Sequence, residues 1–176
     1  MEIVVVADTH LPKGNRKLPE RLLEEMKKAD LVIHAGDWQT VDIYEQFQQF
    51  GELKGVYGNV DSKEVQEAVP RRHVLHLNGF TIGVVHGHGE KKTTEKRVYE
   101  EFAEEEADLI IFGHSHLPLL KFVKQTLLFN PGSATDKRRL PYYSFGKLTL
   151  DDQIHAEHIF ILPCFDNVDR NSIGAN

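Results

Sequence analysis

The 176-residue chain contains one cysteine, Cys164. A single thiol excludes an internal disulfide framework and any cysteine-rich zinc site. Long hydrophobic runs are missing too, with no apolar stretch near the roughly 20 residues a helix needs to cross a bilayer. No basic segment precedes the opening strand-like run "EIVVVA", so no signal peptide and a cytoplasmic location are expected. Nor is there an excess of positive charge. The formal net charge of −6 argues against a tight, non-specific nucleic-acid binder, whose footprint is usually basic. It leaves small anionic substrates open, because a bound cation reverses the local field.

What is present is enough apolar residue, 40% of the chain, to build the core of one domain. That domain is expected over residues 1–162, followed by a loosely ordered tail over 163–176 that lacks periodicity. Ten histidines in so short a chain are the compositional oddity.

Apolar, β-branched runs alternate with helical patterns in the first two thirds. "EIVVVA" (2–7), "DLVIHAGD" (30–37) and "LKGVYGN" (53–59) read as strands, and 18–29 and 40–50 as helices between them. That βαβαβ order predicts a parallel sheet. Asn78-Gly79 between two strand-like runs predicts a tight hairpin. A helix over 93–106 returns to the strand in "DLIIFGHSH". "LLKFV", "TLLFN", "YYSFGKLTL" and "IHAEHIFIL" follow with little helix between them. The reading is α/β with mixed sheets, the later strands forming a second sheet against the first.

In such sheets ligands bind beyond the C-terminal strand ends. Five successive strand ends deliver Asp8 and His10, then Asp37, then Asn59, then His86, then His114 and His116. Taken singly, Asp8, Asp37 and Asn59 read as turn or cap residues. Together they amount to two carboxylates, one amide oxygen and four imidazoles, too many for one tetrahedral zinc. They suit two divalent cations, with Asp37 bridging. The i, i+2 pairs Asp8/His10 and His114/His116 would lie about 6.6 Å apart on extended backbone, able to grip one ion or two neighbours.

"DTH", "GD", "GN", "HGH", "GHSH" and "NPGS", in this order over about residues 1–150, resemble the calcineurin-like metallophosphoesterases, and among them the small YfcE-type phosphodiesterase branch. The resemblance implies a four-layer α-β-β-α sandwich of two mixed sheets flanked by helices. It implies one metal held by Asp8, His10, Asp37 and His116, and a second held by Asp37, Asn59, His86 and His114. The implied chemistry is hydrolysis of a phosphoester, most readily a small phosphodiester, by a hydroxide bridging two divalent metals. Manganese is the first choice, with iron, zinc or nickel also permitted by the residue types. Asp37 and Asn59 are the expected catalytic positions, and Asn59, Asn130 and Ser133 the expected substrate contacts.

One position departs from the wider family, where histidine often follows "GN" and helps protonate the leaving group. Here it is Val60, which has no proton to give. His88 is the nearest substitute in sequence. Asp61 reads as a partner of the site or a helix cap, His34 as a satisfied core residue, and His73, His76, His155 and His158 as surface or half-buried. "DKRR" (136–139) could attract an anionic substrate, but a charge run of this kind reads first as a solvated loop. Rival readings are a non-catalytic protein-binding scaffold of the same fold, resembling a retromer subunit, and a nuclease or phosphomonoesterase. A homo-oligomer is compatible with the strand-rich surface.

Overall fold

Strand β1 (Glu2–Val6) points Ile3 and Val5 to one side and Val4 and Val6 to the other, and all four are buried. A strand covered on both faces must be apolar throughout, which accounts for the uninterrupted run. The computed structural model describes residues 1–14 and 16–163. After β1 come α1 (Glu20–Met26), β2 (Leu31–His34), α2 (Val41–Gln48), β3 (Leu53–Gly55) and α3 (Lys63–Ala68). The hairpin β4 (Arg72–Leu77) and β5 (Phe80–Val85) follows, then α4 (Thr94–Glu101) and β6 (Leu109–Ile111). The order closes with β7 (Leu119–Val123), β8 (Thr126–Asn130), β9 (Tyr143–Leu150) and β10 (Ile154–Ile161).

Two five-stranded sheets result, ordered β10-β9-β1-β2-β3 and β4-β5-β6-β8-β7. β1, β2 and β3 run parallel, as do β5, β6 and β8, so each sheet presents a set of C-terminal strand ends. Ile3, Val5, Leu31 and Ile33 of the first sheet meet Ile82, Val84, Leu109, Ile111 and Phe129 of the second in the central core. Outside the first sheet, Leu22, Met26, Phe47 and Val65 from α1, α2 and α3 cover Val4, Val6 and Val32. Outside the second, Val98 of α4 and the following Phe102 cover Val85, Ile110 and Leu128. The expected four-layer α-β-β-α sandwich is therefore the fold.

One sequence expectation changes. The later strands do not all join the second sheet: β9 and β10 return to the first, with β9 antiparallel to β1 (Ile3 opposite Leu148). β1 had an open edge opposite β2, and β9 fills it while Phe145, Leu148 and Leu150 reach buried positions. The packing is close enough that a Cβ on Gly146 would stand 2.3 Å from Phe129 Cε1 and 3.2 Å from Val5 Cβ. Helix α3 carries no periodic signal in sequence, because its six residues bury only Val65. Its signal is Ser62, whose Oγ accepts the Val65 N–H in the manner of an N-cap. The Asn78-Gly79 turn has positive φ at both residues, 48° and 86°, as a type I′ hairpin requires. Among the described residues no helix is long and apolar enough to cross a membrane. All of the tail beyond Pro163 lies outside the described residues.

Candidate metal centre

The C-terminal ends of the two sheets meet, and the segments leaving β1, β2, β3, β5 and β6 carry Asp8, His10, Asp37, Asn59, His86, His114 and His116 to one place. Asp8, His10 and His116 bring ligand atoms within 4.8 Å of one another, as do Asp8, Asp37 and His86. Asp37 faces both sides: Oδ2 is 3.6 Å from His10 Nε2 and Oδ1 is 3.3 Å from His86 Nε2. His116 Nε2 lies 3.6 Å from Asp8 Oδ1 and 3.1 Å from His10 Nε2. Asn59 Oδ1 and His114 Nδ1 stand 3.1 Å apart at the exposed rim, with the His114 ring 5.2 Å from that of His86.

The expected extended spacing does not hold. Asp8 (φ 55°), His10 (φ 47°), Asp37 (φ 60°), His114 (φ 68°) and His116 (φ 57°) all adopt left-handed backbone, where non-glycine residues are strained by about 1–3 kcal/mol each. The side chains converge because the chain turns at each ligand rather than running straight past it. Hydrogen bonds hold the turns: Asp8 N–H to Gly36 O and His10 N–H to Asp37 O, both 3.0 Å, and His114 N–H to Asp8 Oδ1 at 3.1 Å. Gly58 leaves room for Asp37, since a Cβ there would fall 2.0 Å from Asp37 Oδ1.

The imidazoles are oriented by their outer nitrogens. His86 Nδ1 is 2.8 Å from Ala35 O and His116 Nδ1 is 2.7 Å from Asp136 O. A carbonyl can only accept, so both Nδ1 atoms donate and both Nε2 lone pairs face the centre. Asp61 accepts the amides of Asp37, Gln39 and Gly58. His34 accepts the Gly36 N–H at Nδ1, contacts Thr9 Oγ1 through Nε2 and stacks on Trp38 with ring centroids 3.6 Å apart. It is a satisfied core residue beside the site.

Burial lifts the Asp8 carboxyl to about 7. Burial would also raise Asp37, but the facing His86 imidazole and the Val60 amide outweigh it and bring Asp37 down to about 2. Burial lowers His10 and His114 to about 4 each. Burial acts against charge on His86 as well, yet the carboxylates of Asp37 and Asp8 overcome it and raise its pKa.

Asp8 Oδ2 and His86 Nε2 are buried without any hydrogen-bond partner. An unpaired buried carboxylate oxygen beside inward-facing lone pairs is costly unless a cation satisfies them. The donor set, carboxylates and imidazoles with an amide oxygen at the rim, fits divalent cations of intermediate hardness.

Asn130 and Ser133, expected at the substrate, are engaged elsewhere. Asn130 is fully buried, its Nδ2 donating to Gly113 O and Ser115 Oγ and its Oδ1 accepting from Gly132 N–H. Ser133 Oγ donates to Asp8 O at 2.7 Å and accepts the Asp136 N–H. Their hydrogen bonds brace the loops that carry Asp8 and His114. His88 is half-buried, 5.5 Å ring-to-ring from His86 and 6.5 Å from His114, with its Nδ1 unpaired. The "DKRR" stretch is no free loop: Asp136 O anchors His116, and Arg138 Nη2 reaches His116 Nε2 at 3.1 Å. In sequence those charges read as a solvated loop, because nothing local ties residue 138 to residue 116.

The model of the calcineurin-like phosphoesterase superfamily domain matches residues 1–153. The chain belongs to this superfamily. A "probable metallophosphoesterase" of Methanocaldococcus jannaschii is 32% identical over 160 residues, covering 90% of this chain and 81% of that protein. A protein of the same organism named a phosphodiesterase is 25% identical over 148 residues, covering 75% and 83% respectively. A crystal structure of an Entamoeba histolytica Vps29 variant superposes with a TM-score of 0.72 over 92% of this chain and 99% of that one. At 22% identity that likeness concerns the fold alone. Membership makes this calcineurin-like chain a metallophosphoesterase by family, with a hydrolase's candidate metal centre.

Proposed function

We propose that this chain is a two-metal phosphodiesterase acting on small phosphodiesters. The observation that carries the reading is the convergence of Asp8, Asp37 and the inward-facing imidazoles, with Asp8 Oδ2 and His86 Nε2 buried and unpaired. Asp8, His10, Asp37 and His116 would hold one cation, and Asp37, Asn59, His86 and His114 the other, manganese being the first to try. Such a pair, when bound, neutralises phosphoryl charge and lowers the pKa of a water towards neutrality. The chain's own residues keep the lone pairs aimed inward through the Ala35 and Asp136 carbonyls. Exposed Asn59 stands at the rim, where its amide can donate to a phosphoryl oxygen.

Burial and the neighbouring His86 hold His88 below the ordinary imidazole range. It is then neutral near pH 7 and suits a substrate contact better than proton donation. With Val60 next to Asn59, the reaction favours leaving groups of low pKa. A pure scaffold would gain nothing from an unpaired buried carboxylate oxygen.

The test is hydrolysis of an activated aryl phosphodiester by metal-stripped protein with manganese restored, beside Asp37→Ala. Turnover that returns with metal and falls at least about 10³-fold in the variant supports the reading. Tight metal binding with no turnover of diester or monoester defeats it.

A further inference from the structure

A diester phosphate carries one negative charge, whereas a monoester near neutral pH carries close to two. A site able to use the second substrate needs a further cationic donor beside the phosphoryl group. On the His88 side of the centre both arginines and Lys92 are already engaged. Arg71 makes a two-pronged pair with Glu101 and Lys92 pairs with Glu100. Arg97 donates to the Gly87, Lys91 and Lys92 carbonyls and to Thr94 Oγ1.

The opposite side differs. Arg138 has left-handed backbone (φ 51°), which turns its side chain back to the centre, and its Nη2 stands 3.1 Å from His116 Nε2. Its side chain is 55% exposed, so the guanidinium lies on the boundary between the ligands and solvent. The loop beneath it is fixed. Asp136 takes Arg16 Nη1 at 3.0 Å, lies 3.6 Å from Arg138 Nε and anchors His116 through its carbonyl. Arg138 Nη2 touches the lone pair of His116 Nε2, which a bound cation would take, so a loaded centre leaves the outer fork free for a ligand. A planar fork is the geometry that matches two oxygens of one phosphoryl group.

We propose that Arg138 binds the non-ester oxygens of a phosphoryl group at this centre and thereby extends its substrates to phosphomonoesters of low leaving-group pKa. The inference rests on the hydrolase reading above. In the step, a water oxygen bonds to phosphorus and the ester P–O bond breaks with its electron pair on the leaving oxygen. The water proton passes to solvent, and the products are a phenolate and inorganic phosphate.

Four proteins loaded with manganese decide it: the unaltered chain, Arg138→Ala, Arg138→Lys and, as a surface-charge control, Arg21→Ala, whose partner is Glu25 of the same helix. Each is titrated with inorganic phosphate by calorimetry and assayed on p-nitrophenyl phosphate and bis(p-nitrophenyl) phosphate, after metal content is matched. We expect Arg138→Ala to weaken phosphate binding about 10- to 100-fold, the size of a lost charge-assisted hydrogen bond. kcat/KM for the monoester should fall in proportion, and for the diester by several-fold less. Arg138→Lys should recover part of the loss, and Arg21→Ala should stay near the unaltered chain. Equal phosphate binding in Arg138→Ala, or equal losses on both esters, overturns the proposal. Diester turnover with no monoester turnover in the unaltered chain overturns it and leaves the phosphodiesterase reading standing. Turnover of neither ester defeats that reading, and the calorimetry alone then decides whether Arg138 holds phosphate.

Discussion

Asp61 Oδ2 accepts the backbone N–H of Asp37 at 3.0 Å, so one buried carboxylate fixes the peptide that presents another. The same oxygen takes Gly58 N–H at 2.7 Å, and Oδ1 takes Gln39 N–H at 2.7 Å. Asp37 and Gln39 both have positive φ, 60° and 99°, and Asp61 is what pins that turn. Asp61→Asn retains one acceptor oxygen, so an amide hydrogen must face the new NH2 group. Stability should drop by about 1–3 kcal/mol, and metal affinity by about 10- to 100-fold. Chemical denaturation in chelator and a competitive chelator titration measure the two separately, and an unchanged metal affinity would refute the role.

His34 gives a pH dependence with a definite sign. Burial holds its folded pKa well below 6.5, and accepting the Gly36 N–H at Nδ1 leaves no place for a second proton. Below pH 6.5 the unfolded chain takes up a proton that the folded chain refuses. The stability His34 contributes is therefore present above that pH and lost as pH falls, at about 1.4 kcal/mol per pH unit. His10 and His114, lowered to about 4, add to the same slope down to that pH. Urea unfolding in chelator from pH 7 to 5 should show the loss, and His34→Asn should flatten it by about one proton. A slope identical in the variant would count against this account.

Val60 is 42% exposed, and its backbone N–H holds Asp37 Oδ1 at 3.2 Å. A side-chain exchange leaves that bond in place. Val60→His should speed hydrolysis of alkyl phosphodiesters, which need a proton on the leaving oxygen, by about 10²-fold. The gain on aryl diesters should be small, so the ratio of the two rates is the readout. An equal gain on both would point to binding rather than proton transfer.

Gly146→Ala tests the closeness of the sheets. The added carbon meets the Phe129 ring and Val5, and overpacking of this kind costs about 1–3 kcal/mol. Thermal unfolding should show the loss with the metal content unchanged.

Much of this was legible in the chain. β1, β2 and β6 announce themselves because burial on both faces demands unbroken apolar runs. The seven expected ligands stand where parallel strands end, beside glycines that let the chain turn. Other features depend on distant partners that no local pattern reveals. β9 belongs to the first sheet because β1 has an edge to fill, and "YYSFGKLTL" reads the same in either sheet. Their motif points Asn130 and Ser133 to the substrate, and only the fold shows Asn130 also tied to Gly113 and Ser133 to Asp8. Arg138 likewise acquires its meaning from His116, 22 positions away.

The hydrogen bond from Ser133 to the Asp8 carbonyl joins positions 125 apart, and that from His114 to the Asp8 carboxylate joins positions 106 apart. During synthesis the first ligand therefore leaves the ribosome long before the groups that lock it. No half-length nascent chain has a finished centre to capture an ion. Under the two-metal reading, ion capture belongs to the completed polypeptide rather than to the growing chain.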